Sequence, residues 1–276
     1  MTDLSTKPGS GRLEGKVALV VGGGQTPGES TGNGRATSIV FAREGAQVIV
    51  ADRRLDSAAD TVKLIEAEGG KAVPWEVDVT SEDQIRSMVE GVVERFGRID
   101  ILHNNVGVSL AGGDAVVTEI TPDAFDRISD INVRGMVLTC KHVLPVMRAQ
   151  RSGSITSISS LATEIDYRYV AYKTTKAGVN ALTELLAITN AEYGIRANAI
   201  LPGLMNTPMA VENRIGVLAP TREGVIAERD SHVPLGGKMG TGWDVAYAAL
   251  YLNSDEAQFV TGLKLIVDGG QQLRAG

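Results

Sequence analysis

The chain has 276 residues, 43% of them hydrophobic and 22% charged, with 27 Lys and Arg against 33 Asp and Glu for a net charge of −6. That length suits one α/β domain with a buried core, and the acidic balance argues against nucleic acid as a partner, because phosphate binding needs a basic face. A polar N-terminus, no apolar run near the ~20 residues that span a bilayer, and a single cysteine argue against a membrane span and an intramolecular disulfide, so a cytoplasmic location is expected.

Residues 1–14 are polar and contain Gly, Ser and Pro, so they read as a flexible tail, and one domain is expected over 15–276. Residues 16–21 form the first strand, with the apolar run of a parallel strand covered on both faces. A turn from Gly22-Gly23-Gly24 to Gly32-Asn33-Gly34 leads into a helix over 35–44, followed by a strand at 46–51 and a helix at 55–68. Further strands are expected at 72–77, 99–103, 154–158, 196–201 and 263–267. Helical periodicity covers 82–96, 124–148, 170–193 and 243–252. Seven strands alternating with helices imply a Rossmann-like, doubly wound parallel sheet with helices on both faces. The stretch 204–242 has no clear regular structure and follows a strand's carboxyl end, where open α/β sheets bind ligands. Three scattered histidines and Cys140 give no metal-ligand cluster, so no metal site is expected.

The first turn is a candidate dinucleotide site. Gly22, Gly32 and Gly34 let the backbone approach a pyrophosphate, while the helix that opens at Asn33 presents unpaired N–H groups and a partial positive charge. Asp52 ends the second strand, where a carboxylate can bind an adenosine ribose diol and repel a 2′-phosphate. Arg53 and Arg54 beside it could instead bind that phosphate.

Tyr172 and Lys176 are four residues apart, one turn of helix, so they share a face. A positive charge close to a phenol favours the phenolate, and such a pair can exchange a proton with an alcohol or carbonyl. Ser160 could hold the substrate oxygen. Tyr169 and Lys173 repeat the spacing one step earlier, but Tyr169 is only nine residues from Ser160, so Tyr172 is the expected acid/base and Tyr169 a lining or packing residue.

Together these features resemble the short-chain dehydrogenase/reductase family over 15–270. Asn104-Asn105-Val106-Gly107 matches the family's Asn-Asn-Ala-Gly element, with Asn105 on the cofactor side, and Asp78-Val79 matches the strand end beside the adenine. Asn132 matches the helix asparagine that holds a water linked to the active-site lysine. Pro202, Gly203, Met205 and Thr207 match the segment that anchors the nicotinamide carboxamide. By the same resemblance Lys176 also hydrogen-bonds the nicotinamide ribose, and the final segment around Phe259 and 263–270 makes a subunit contact, with a homotetramer favoured.

What the resemblance implies is an NAD-dependent oxidoreductase acting on a small secondary alcohol or its ketone. An NADP-dependent carbonyl or 3-oxoacyl reductase is the alternative within the family, and a catalytically silent nucleotide sensor the alternative outside enzymology. Three departures stand out. Val21 replaces the usual threonine before the first glycine, and Val106 replaces the usual alanine. Nine residues separate Gly22 from Gly32, where the family ordinarily has three. The inserted loop, with Thr26, Ser30 and Thr31 as hydroxyl donors, is expected to fold over the cofactor phosphates, although Glu29 is unsuited to such a site.

Overall fold

In a computed structural model, which describes residues 4–274, seven parallel strands form one sheet. In chain order the strands are β1 (Val17–Val21), β2 (Gln47–Asp52), β3 (Lys71–Glu76), β4 (Ile101–Asn104), β5 (Gly153–Ile158), β6 (Ile195–Pro202), the short β7 (Met205–Asn206) and β8 (Gly240–Thr241), and β9 (Lys264–Val267). The main sheet runs β3-β2-β1-β4-β5-β6-β9, while β7 and β8 pair with each other. The order reverses between β1 and β4, so crossover connections leave in opposite directions and open a crevice at the strands' carboxyl ends.

The helices are α1 (Asn33–Arg43), α2 (Leu55–Ala67), α3 (Glu82–Phe96), α4 (Pro122–Ser129), α5 (Gly135–Gln150), α6 (Val170–Asn190), α7 (Pro208–Val211), α8 (Arg222–Asp230) and α9 (Gly242–Asn253). Period-two alternation divides the strand side chains between two cores. Ala18, Val20, Val48 and Val50 pack with α1, α2 and α9, whereas Leu19, Val21, Ile49 and Ala51 pack with α3, α5 and α6. Both faces are therefore dry, which is why β1 reads as a continuous apolar run.

Three expectations need correction. The helix expected over 124–148 is two helices joined by a π-helical turn, Asp130–Arg134. The Asn132 amide is held there by Val108 and Thr175, 24 and 43 residues away in sequence, and the wider turn accommodates that inward anchor. Within 204–242, α7 and α8 enclose a small core of Val211, Val225, Val233 and Met239. The nine residues of α8 are mostly polar, so few apolar positions mark it as a helix in the sequence. Finally, the expected tail is bound before it reaches residue 14. Leu13 is fully buried and its N–H donates to Glu44 O at 2.9 Å, and the Glu44 carboxylate accepts from Ser10 N at 2.9 Å and Arg12 N at 3.0 Å.

Candidate active site

A cavity of about 630 Å³ occupies the crevice, between the glycine-rich turn on one side and α7 and α8 on the other. The turn is shaped from beneath. Gly22 N and Gly23 N both donate to Ala51 O, at 2.8 and 3.0 Å, so the turn is tied to β2 through its backbone. Gly22 has φ +86°, and a Cβ there would lie 2.9 Å from Val106 Cγ2, so Val106 fills the space that the glycine leaves. Asn105 Nδ2 donates to Gly22 O at 2.9 Å and holds the turn from the β4 side.

Gly32, Asn33 and Gly34 line the cavity where α1 begins. No side chain caps that helix and no acid lies in its first turn, so its N–H groups and positive dipole end are available to an anion. A Cβ on Gly34 would strike Gly22 O at 1.9 Å, so the close approach of helix and turn requires glycine. Asp52 lies beside it, its Oδ2 accepting from Gly24 N at 3.1 Å and its Oδ1 from Arg54 N at 3.1 Å. These groups fit a dinucleotide: glycines where a diphosphate needs space, a bare helix N-terminus, and an oriented carboxylate at the ribose end. Arg53, Asp78, Val79, Pro202, Gly203, Met205 and Thr207 also line the cavity.

The inserted loop follows the same wall. Gln25 N donates to Ser57 Oγ at 2.7 Å, and the Gln25 side-chain carbonyl accepts from Gly32 N at 3.0 Å. Glu29 is turned away, paired with Arg222 of α8 at 3.0 Å. Thr26 lines the cavity, while Ser30 Oγ is buried with no hydrogen-bond partner among the described residues.

Tyr172, Lys176 and Ser160 converge on the central wall. Asp114, from the loop after β4, accepts at its two oxygens from Ala171 N (3.0 Å) and Tyr172 N (2.9 Å), and so fixes the first turn of α6. Lys176 is buried, and its Nζ donates to Ile158 O at 2.7 Å and lies 5.7 Å from the Tyr172 ring centroid. Ser160 Oγ accepts from Ala162 N at 3.1 Å, leaving its hydroxyl proton to donate elsewhere. Asn132 lies behind the wall: its Oδ1 accepts from Val108 N at 2.7 Å and its Nδ2 donates to Thr175 Oγ1 at 3.1 Å. A Cβ on Gly107 would lie 3.0 Å from Lys176 Nζ and 3.5 Å from Asn132 Oδ1, so glycine there lets both side chains approach. Tyr169 stands at the N-cap of α6 with its ring against Tyr167, 5.6 Å between centroids, and neither it nor Lys173 lines the cavity.

The electrostatics differ from the expectation in one respect. Burial pushes the Tyr172 phenol up to about 12, opposed by the Ser160 hydroxyl and by the charges of Arg214 and Arg229. Lys176 is not among the groups pulling the phenol down, and burial lowers the lysine itself to about 7. The two arginines, Tyr167 and Asp114 had no motif to mark them. Arg214 and Arg229 lie in the stretch read as lacking regular structure, and Asp114 in a loop remote in sequence from the helix that it caps.

A family model described as enoyl-(acyl carrier protein) reductase matches residues 28–272. The chain is 38% identical to the uncharacterized oxidoreductase YxbG of Bacillus subtilis over 94% of its length and 92% of that protein. The chain belongs to the short-chain dehydrogenase/reductase family. It is also 36% identical to the 3-oxoacyl-[acyl-carrier-protein] reductase FabG of Thermotoga maritima (94% and 98% covered), and 37% identical to the 7alpha-hydroxysteroid dehydrogenase of Clostridium sardiniense (94% of both). A short-chain dehydrogenase/reductase structure from Burkholderia xenovorans superposes with a TM-score of 0.90 at 39% identity, covering 97% of this chain and all of that one. Members of this short-chain dehydrogenase/reductase family are oxidoreductases that use NAD(P)(H). Among the described residues, no helix is long and apolar enough to cross a membrane.

Proposed function

We propose that this short-chain dehydrogenase/reductase interconverts a secondary alcohol and its ketone with NAD(H), with Tyr172 as the proton-transfer group. The observation that carries the reading is the convergence of Tyr172, Ser160 and Lys176 on one cavity wall beside the glycine turn. The nicotinamide, when bound, supplies the hydride chemistry. Ser160, whose hydroxyl is bonded to the Tyr172 phenol, orients the substrate oxygen when substrate enters between them. Tyr172 gives its proton to that oxygen during ketone reduction and takes it back during alcohol oxidation. A phenol held above its ordinary value is protonated at neutral pH, which suits the reductive direction in the state without nucleotide. Lys176 and Asn132 then act through position, the first against the back of the site and the second by pinning Val108. A panel of alcohols and ketones assayed with both nucleotides tests the reading. Dinucleotide binding without any turnover would favour the silent sensor.

The preference for NAD rests on Asp52. Losing its two ribose hydrogen bonds and opposing a 2′-phosphate should cost NADP about 10²-fold or more in kcat/KM. Asp52→Ala should shrink that ratio at least tenfold, as measured from steady-state kinetics with each nucleotide. Better efficiency of the parent enzyme with NADP would instead support the reductase alternative through Arg53, which faces the same cavity.

The loop provides a further expected outcome. Removing six residues between Gln25 and Gly32 should leave the thermal midpoint near that of the parent and weaken NAD and NADH binding by roughly tenfold or more, because Thr26 and Ser30 are lost as hydroxyl donors near the helix N-terminus. Unchanged dissociation constants in calorimetry would leave the loop with no role in binding. A cytoplasmic homotetramer belongs to the same reading, and the fully exposed Phe259 and the open edge of β9 support a subunit contact there.

A further inference from the structure

The end of the cavity walled by α7 and α8 carries two arginines, Arg214 and Arg229, and the charge of Asp230 supports Arg229 without forming an ion pair with it. Arg229 is 8% exposed, yet its one hydrogen bond is from Nε to Met239 Sδ at 3.2 Å. Arg214 donates from Nη1 to Ala210 O at 3.0 Å and Met209 O at 3.5 Å, which leaves its other nitrogens without partners. Among the described residues neither guanidinium has a carboxylate within ion-pair distance. The acids nearby in sequence are engaged elsewhere or exposed. Glu212 pairs with Arg222 and Glu228 with His232, Asp230 accepts from Met239 N at 2.8 Å, and Glu223 is exposed. The acids that do line the cavity are Asp52 and Asp78, at the β2 and β3 end.

Both arginines line the cavity, and they are close enough for Arg214 to disfavour the charge on Arg229 and for both to act on Tyr172. Burying one cation without a partner is costly, and a second like charge beside it adds to the cost. The small core beneath α8 is made by Val225, Val233 and Met239, and Arg229 meets it only through Met239 Sδ. A ligand that brings a negative charge would remove the cost. The planar donor fork of arginine matches a carboxylate in two parallel hydrogen bonds.

We propose that the alcohol or ketone turned over here carries a carboxylate, held by Arg229 with Arg214 beside it while the reacting oxygen lies at Tyr172 and Ser160. This rests on the dehydrogenase reading for the reacting end, but the anion site itself can be tested without turnover. The substrates would be a series of hydroxy acids and keto acids with the carboxylate near to or far from the reacting carbon, each compared with its primary amide. At the best chain length the acid should exceed its amide by roughly 10²-fold in kcat/KM, a ratio expected to collapse to near unity in Arg229→Gln and to fall partway in Arg214→Gln. Calorimetry with the same acids and amides, at saturating NAD or NADH, provides the second readout. Acid-selective binding that disappears in Arg229→Gln, with no member of the series turned over, would uphold the anion site and count against the dehydrogenase reading. Turnover or binding that is equal for acid and amide, or acid selectivity that survives both substitutions, would overturn the proposal. So would failure of every acid to bind.

Discussion

Tyr172→Phe is expected to lower kcat by ~10²–10⁴-fold while nucleotide binding and the thermal midpoint stay close to those of the parent. The substitution removes one hydroxyl from a ring that remains packed against Tyr167, 5.7 Å between centroids, and leaves the N–H bond to Asp114 intact. What disappears is the proton that must reach the substrate oxygen. Tyr169→Phe provides the internal control, because Tyr169 has the same four-residue relation to a lysine but stands at the N-cap outside the cavity. Its kcat should stay within a few-fold of the parent. Single-turnover rates for both variants, with nucleotide affinity measured in parallel, decide the matter. An inactive Tyr169→Phe beside an active Tyr172→Phe would reverse the assignment of the whole site.

Lys176→Met is expected to move activity and stability in opposite directions. Turnover should fall by ~10² or more, since the side chain that positions the back of the site through its bond to Ile158 O is lost. Stability should be unchanged or higher, by up to ~4 kcal/mol, because an unpaired buried cation is replaced by an apolar side chain of similar length. The pH dependence identifies the cause. Burial lowers Lys176 from 10.5 to about 7, so the unfolded chain binds the extra proton between those values and the parent gains stability as pH rises through that window. The advantage of the variant should therefore be largest below pH 7 and disappear as pH approaches 10.5. Thermal or denaturant unfolding of both proteins across that range gives the curve. A variant that is less stable at every pH would show that Lys176 is needed for packing.

Much of this protein is local in origin and so was readable along the chain. The run at 16–21 and its six partners specify a covered parallel sheet, because side chains alternate to two apolar faces. The glycines at 22, 32 and 34 mark a close backbone approach, and one helical turn brings Tyr172 over Lys176. Each of these depends on a spacing or a single residue's conformational freedom.

Other features depend on partners far apart in the sequence. Asp114 caps α6 from 57 residues away, and Glu44 holds Arg12 across 32. The break of the 124–148 helix at Asn132 accompanies contacts with Val108 and Thr175, 24 and 43 residues away. The polar sequence of α8 conceals a helix whose one buried cation turns toward the cavity. The phenol's proton affinity was the least legible, since it is governed first by burial and then by Ser160, Tyr167, Arg214 and Arg229, with the neighbouring lysine not among the causes. Desolvation and long-range charge exist only once the chain has closed around a site, so these properties were decided by the tertiary structure alone.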